Sequence, residues 1–242
     1  MQAFHSFIQN EKLIIFRMFL VIVNISKSLN KIKSCVTGLA RKSLTFPVQT
    51  SNSYVQLKPR RCPNLFAFTL CLRAASEESR SYGLFSYASS ESGNELLLWK
   101  WSDTRLDLYL QNTVIPFSLP AMNALMRHIC VSWESKQGEV TFWVNGQRSV
   151  RKVGRKRKMV RGGGSFILGQ EQDKVGGGFD IKQSFVGEIT DVNLWDHVLT
   201  ATEIKAVSEC CNSLGGNIID WSTIWYSARG KVNIQDNKDC KT

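Results

Sequence analysis

The chain has 242 residues, of which 43% are hydrophobic and 10% aromatic, a composition that excludes a disordered protein and allows one large or two small domains. Its formal net charge is +11, but one acid-free run between residues 148 and 161 carries eight of these charges, which leaves about +3 (11 − 8) for the remainder. The basic character is therefore a local patch, and a patch favours a polyanionic partner over a general solubility effect.

Residues 1–40 differ from the rest and are predicted to be a secretory signal or a misassigned N-terminal segment, followed by one domain over residues 41–242. The apolar run Leu13–Ile25 is interrupted by Arg17 and is too short to span a bilayer, so no transmembrane segment is predicted. A positive start and an apolar centre are typical of a signal. Because no small-x-small cleavage site follows, a misassigned start and initiation at Met18 both stay open.

Seven cysteines indicate a secreted, extracellular protein with disulfides. They contain no CxxC pair, and three histidines do not favour a zinc site. Cleavage after Cys35 would leave six, an even number. The other cysteines are Cys62, Cys71, Cys130, Cys210, Cys211 and Cys240.

From Ser43 onward, short segments with period-2 alternation or a β-branched and aromatic bias predict an all-β antiparallel sandwich. Examples are YVQLK, LFAFTLCL, YGLFSYAS, NELLLWKW, RLDLYLQN and EVTFWVNGQ, the last ending in the hairpin signal Asn145-Gly146. One short α-helix is predicted at about 200–212, because Thr200 and Glu203 form a capping-box pattern ahead of an apolar stripe.

An oxygen-rich cluster lies between residues 171 and 183. Glu171 and Asp173 precede the glycine turn 176–178, and Asp180 and Gln183 follow it. Ca²⁺ takes carboxylate, amide and backbone oxygens from flexible loops, so this pattern predicts a calcium site, although it lacks the EF-hand spacing. A solvated acidic hairpin is the alternative.

The segment His128–Ser135 reads HICVSWES. As a strand it places His128, Cys130 and Ser132 on one face, where neighbours on a single strand do not form a catalytic relay, so no enzyme is predicted. The segment resembles the H-x-C-x-S-W-x-S signature of the pentraxin family.

The resemblance runs from about Leu44 to Val232 through FTLCLR, YGLFSYAS, NELLL, FWVNG, LGQEQD, QSFVGEI and NLWDHVL. It implies a jelly-roll of two antiparallel sheets, a disulfide between Cys71 and Cys130, and a homopentamer with calcium on one face. The implied role is that of a secreted, calcium-dependent pattern-recognition lectin of acute-phase innate immunity.

Position by position, the resemblance implies two calcium ions per subunit and one ligand set. The implied ligands are Asn94, Glu171, Gln172 through its backbone carbonyl, Asp173, Asp180 and Gln183. Gly93 departs from the family, whose high-affinity members carry Asp there. Calcium binding is therefore expected to be weakened but present, and Gly93→Asp is expected to tighten it.

Trp99 and Tyr109 align with the family's ligand pocket, in which bound calcium holds a phosphate or carboxylate oxygen. Val114 stands where an acid would attract choline, so phosphoethanolamine-like head groups or acidic glycans are the implied ligands. For Trp99, simple packing on the sheet is the alternative.

The basic run favours heparin, DNA or a phospholipid surface, while complement is a partner implied by the family. Calcium-independent polyanion binding through a basic loop at 148–161 is thus the alternative function, and a solvated loop is the plain reading. The run comprises Arg148, Arg151, Lys152, Arg155, Lys156, Arg157, Lys158 and Arg161.

Overall fold

The structure, a computed structural model, describes residues 36–122, 124–209 and 215–237. The predicted signal and the predictions for Cys35, Cys210, Cys211 and Cys240 lie outside the described residues. Among the residues that are described, no helix has the length and apolarity needed to cross a membrane.

The described chain forms a jelly-roll sandwich of two antiparallel sheets, which confirms the predicted fold class. One sheet has eight strands in the order β1-β14-β3-β12-β5-β6-β7-β8, and the other has seven in the order β11-β10-β9-β4-β13-β2-β15. The strands are β1 (Val36–Thr37), β2 (Lys42–Phe46), β3 (Tyr54–Lys58), β4 (Ala67–Ala75), β5 (Tyr82–Ser89), β6 (Ser92–Ser102), β7 (Arg105–Leu110), β8 (Thr113–Ser118), β9 (Arg127–Glu134), β10 (Glu139–Val144), β11 (Gln147–Val153), β12 (Ser165–Leu168), β13 (Gly187–Trp195), β14 (Trp225–Arg229) and β15 (Asn233–Asp236).

Alternate side chains of each strand fill the core between the sheets. In β6, Leu96 and Leu98 are buried in this core, and Leu98 pairs with Leu108 of β7, which joins the same cluster. Because successive side chains point to opposite faces, Leu97 and Trp99 lie on the outer face of the eight-stranded sheet. That outer face carries the predicted calcium and ligand residues.

The predicted helix is present but shorter than expected: α1 spans Ala201–Ser208 rather than 200–212. Thr200 and Glu203 form the predicted capping box. At the other end the Arg73 guanidinium donates hydrogen bonds to the carbonyl oxygens of Val207 and Ser208. This side chain comes from a distant strand, so local sequence gave no sign of where the helix ends.

The sequence predicts a loop for the basic segment 148–161, but the structure shows that only part of it is a loop. Its first half is the strand β11, which forms one edge of the seven-stranded sheet. On this edge strand Val150 and Val153 are exposed together with the neighbouring cations. Charges on an edge strand also oppose strand addition by a second chain.

Candidate metal centre and ligand face

The loop that follows β12 lies across the outer face of the eight-stranded sheet. Cross-strand pairing places Gly83 of β5 opposite Trp99 of β6. Glu171 packs over Gly83, where an added Cβ would lie 3.4 Å from the Glu171 Cβ. Absence of a side chain at residue 83 thus leaves space for the loop to bring Glu171 onto the sheet.

Gln172 fastens this loop to the sheet. Its side-chain amide donates to the carbonyl oxygens of Ser86 and Ser165 at 3.0 and 2.9 Å, and its backbone N–H donates to Ser86 Oγ at 3.1 Å. The side-chain oxygen accepts from the N–H of Gly176 at 2.8 Å. Because the side chain is fully used in these contacts, the backbone carbonyl is the atom of Gln172 suited to a cation, in keeping with the predicted role.

The backbone of residues 172 and 173 lies directly against Gly93. A Cβ built on Gly93 would be 2.6 Å from the carbonyl oxygen of Asp173 and 2.9 Å from that of Gln172. Any side chain at residue 93 would therefore have to push the loop outward. Tightening by Gly93→Asp stays a prediction, and the structure adds that the loop must move before the new carboxylate can contribute.

Three side-chain oxygens of the predicted ligands are buried and have no hydrogen-bond partner within the described part of the chain. They are Asn94 Oδ1, Glu171 Oε2 and Gln183 Oε1. Buried acceptors are usually satisfied, and an unsatisfied one calls for an explanation such as an ion. An oxygen-only set of carboxylate and amide groups is also the donor chemistry that Ca²⁺ prefers, so these residues fit calcium.

The electrostatics of Glu171 agree with this interpretation. Burial of the side chain, followed by repulsion from Asp173, raises the pKa of Glu171 to about 7, and the Asp180 charge adds to the rise. The neighbouring Asn94 amide lowers this pKa but does not cancel the rise. A buried carboxyl group surrounded by other acids is an unfavourable place for negative charge and a favourable one for a cation.

The exposed acids are near Glu171 but do not close around it. Asp180 uses one carboxylate oxygen to accept from the N–H of Lys182 at 2.9 Å, which caps the short 3-10 helix Ile181–Gln183. Within the described ranges, the sole triad of His, Cys, Asp or Glu ligand atoms all within 4.8 Å is Cys71, His128 and Cys130. Of the predicted amide ligands, Asn94 is close enough to Glu171 for a hydrogen bond that lowers the Glu171 pKa.

The predicted ligand-pocket residues lie on the same outer face. Trp99 is only 7% exposed, and its indole N–H has no acceptor among the described residues. Tyr109 is half-buried, and burial raises its pKa, with further rises from the charges of Asp107 and Glu171. Val114 pairs with Tyr109 and is 41% exposed, so an apolar group stands at the rim.

Cys71 and Cys130 form the predicted disulfide, which joins cross-strand neighbours on β4 and β9. This bond accounts for the Cys71, His128 and Cys130 group, because both sulfurs are already bonded. Burial, together with the charge of Arg73, lowers the pKa of His128 to about 3. The imidazole is therefore neutral near pH 7 and packs beside the disulfide.

The predicted polyanion residues fall into two groups. Arg151 pairs with Glu139 at 2.8 Å, and Arg161 contacts the fully buried Glu95 at 3.3 Å and also donates its backbone N–H to it. Lys152 lies over the ring of Phe117. The exposed members for which the described residues show no ion pair are Arg148, Lys156, Arg157 and Lys158.

Sequence reasoning missed Ser86, which hydrogen-bonds Gln172, and Gly83, which leaves space for Glu171 on the sheet. Ser86 had a detectable signal, since it is a hydroxyl inside the apolar strand YGLFSYAS. It also missed Glu95, which fixes the end of the basic segment through Arg161. A lone glutamate beside the predicted ligand Asn94 gave no sign that it would be buried.

Comparison with known proteins places the fold in a family. The model of the pentaxin family matches residues 42–236. C-reactive protein of Danio rerio is 43% identical over 202 residues, covering 81% of this chain and 89% of the relative. Serum amyloid P-component of Mesocricetus auratus is 44% identical over 205 residues, covering 82% of this chain and 85% of the relative.

A solved structure agrees with these sequence relatives. The heptameric SAP-like pentraxin from Limulus polyphemus superposes with a TM-score of 0.75 at 25% identity, covering 86% of this chain and all of that one. The family match spans nearly the whole described chain, and the relatives match over most of their own length. The chain therefore belongs to the pentraxin family.

Proposed function

We propose that this protein is a secreted, calcium-dependent pattern-recognition protein that binds anionic head groups or acidic glycans on the outer face of the eight-stranded sheet. The observation that carries the proposal is that one side-chain oxygen on each of Asn94, Glu171 and Gln183 is buried without a hydrogen-bond partner among the described residues. The fit of this oxygen set to Ca²⁺ supports a metal-dependent site, with Gln172, Asp173 and Asp180 as the remaining ligands.

Calcium bound there would supply positive charge to hold a phosphate or carboxylate oxygen of the ligand. The protein's own part is to present that charge beside Trp99 and Tyr109, whose aromatic surfaces suit the less polar remainder of a head group or sugar. Val114 at the rim offers no negative charge for a quaternary ammonium group. Phosphoethanolamine-like groups are therefore favoured over phosphocholine.

The family placement also supports the proposal of secretion and of assembly into a ring. A disulfide such as Cys71–Cys130 persists in oxidising compartments, which supports an extracellular location. The related Limulus polyphemus structure is a heptamer, which supports a ring of subunits, and a homopentamer is our proposal for this chain. Repetition of a weak site around a ring would raise the effective affinity for a surface.

Binding to phosphoethanolamine-coated and phosphocholine-coated surfaces in Ca²⁺ and in EDTA tests the proposal. We expect calcium-dependent retention, stronger on phosphoethanolamine, that is lost in Glu171→Gln and kept in Glu91→Gln, an exposed glutamate with no predicted role. Equal retention in EDTA, or retention by Glu171→Gln, would overturn it. Binding of the chain rather than turnover of a substrate is expected, since the relatives named above are pentraxins and no enzyme family is indicated.

A further inference from the structure

A pocket lined by both polar and apolar side chains lies on the outer face of the opposite, seven-stranded sheet. It is formed between strands β9 to β11 and the start of helix α1, and Ser132, Thr141, Trp143 and Arg148 contribute to its lining. The calcium-ligand prediction involves none of these residues. The pocket is therefore separate from the proposed metal centre.

A β-bulge brings two arginines into this pocket. Thr141 and Trp143 are two residues apart on β10, but their partners Arg151 and Arg148 are three residues apart on β11. The extra residue on β11 places both arginines on one face, whereas a regular strand would put them on opposite faces. Two guanidinium groups that point to the same face can bind a sulfate or carboxylate with paired hydrogen bonds.

The charges of the pocket are incompletely compensated. Arg151 pairs with Glu139, but both side chains are about half-exposed, at 58% and 46%, and such pairs contribute little and exchange partners readily. Arg148 has no ion-pair partner within the described part of the chain. The buried hydroxyl groups of Ser132 and Thr141 add polar contacts.

The walls of the pocket suit a sugar ring. Trp143 lines it, is 9% exposed, and has an indole N–H with no acceptor among the described residues. Leu199, from the segment just before α1, adds an apolar wall. Beyond the pocket, the exposed Lys156, Arg157 and Lys158 continue the positive charge past the end of β11.

We propose that this pocket and the adjoining edge strand bind a sulfated glycan chain without calcium. Sulfate groups project from the edges of sugar rings and can enter a recess between a strand and a helix, while the chain continues along the cations. Duplex DNA presents its phosphates on a wide convex surface, which does not enter a recess between a strand and a helix. A sulfated glycan is therefore the preferred occupant.

Calorimetry in EDTA with a sulfated heparin tetrasaccharide, and with its desulfated form, tests the proposal. We expect binding of the sulfated form only, and a roughly tenfold loss of affinity in Arg148→Gln, the scale of one charge-assisted contact. Arg229→Gln is the matched control, because Arg229 is exposed on the other sheet and loses the same charge. Its affinity should change less than about twofold, as expected for a distant charge.

A variant that is expected to bind more tightly excludes misfolding as the cause of the changes in affinity. Glu139→Gln releases Arg151 from its ion pair and removes the acid from the pocket, so affinity should rise, whereas Glu91→Gln should not raise it. Absence of binding in EDTA, equal losses in Arg148→Gln and Arg229→Gln, or stronger competition by duplex DNA of equal charge would each overturn the proposal. EDTA removes the calcium-dependent activity, so failure here is distinct from failure of the proposed function.

Discussion

Replacing Glu171 by Gln should stabilise the metal-free protein while abolishing its response to calcium. Glu171 is 3% exposed, and its pKa of about 7 lies well above the ordinary value of 4.5. Each pKa unit corresponds to about 1.4 kcal/mol, so ionisation of this carboxyl group without a cation costs the native state at most about 3.5 kcal/mol. Gln keeps the size of the side chain and removes that cost.

The stability difference between Glu171→Gln and wild type should depend on pH. Because the native pKa lies above the unfolded one, the native state binds more protons between pH 4.5 and 7, and the stability of the wild type falls as pH rises through that window. The stability difference between Glu171→Gln and wild type should therefore be largest above pH 7 and vanish toward pH 4.5.

Urea unfolding in EDTA at several pH values, with Glu91→Gln as control, measures this difference. Calcium should then stabilise the wild type and leave the free energy of unfolding of Glu171→Gln unchanged. A variant that is less stable than wild type at pH 8, or a difference that does not depend on pH, would refute the reasoning.

Two further predictions concern the framework of the fold. Replacing Cys71 and Cys130 by Ala should lower the free energy of unfolding by about 4 kcal/mol, the value of the loop-entropy model for a sequence separation of 59. Urea unfolding measures this loss, and the reduced wild type should have the same stability as the variant. Gly93→Ala should weaken calcium binding and lower the free energy of unfolding by about 1–3 kcal/mol, because the added Cβ would meet the backbone of Asp173. Gly177→Ala should have little effect, because its Cβ would meet only a flexible lysine side chain. Equal behaviour of the two glycine variants would contradict this prediction.

Local patterns were enough to predict much of the fold. Period-2 alternation predicted strands such as β5, β7 and β10, and the Thr200 and Glu203 pair predicted the start of α1, because these signals depend only on neighbours in sequence. The disulfide was implied by family resemblance, and the structure shows it.

Features that depend on distant contacts were not predictable. The helix ends at Ser208 beside Arg73, which is far away in sequence, and the β11 bulge follows from pairing with β10. The close approach of the calcium loop to Gly93 is likewise a tertiary contact. The ligand set of the candidate metal centre stays a prediction from the sequence, and the burial of Glu171 that raises its pKa could not be predicted there.

Titration of Ca²⁺ into purified, metal-free protein by calorimetry at physiological salt tests the central claim most directly. We expect saturable Ca²⁺ binding that disappears in Glu171→Gln and persists in Glu91→Gln. Absence of any saturable heat in the wild type would contradict the claim that the unpartnered oxygens of Asn94, Glu171 and Gln183 form a calcium site.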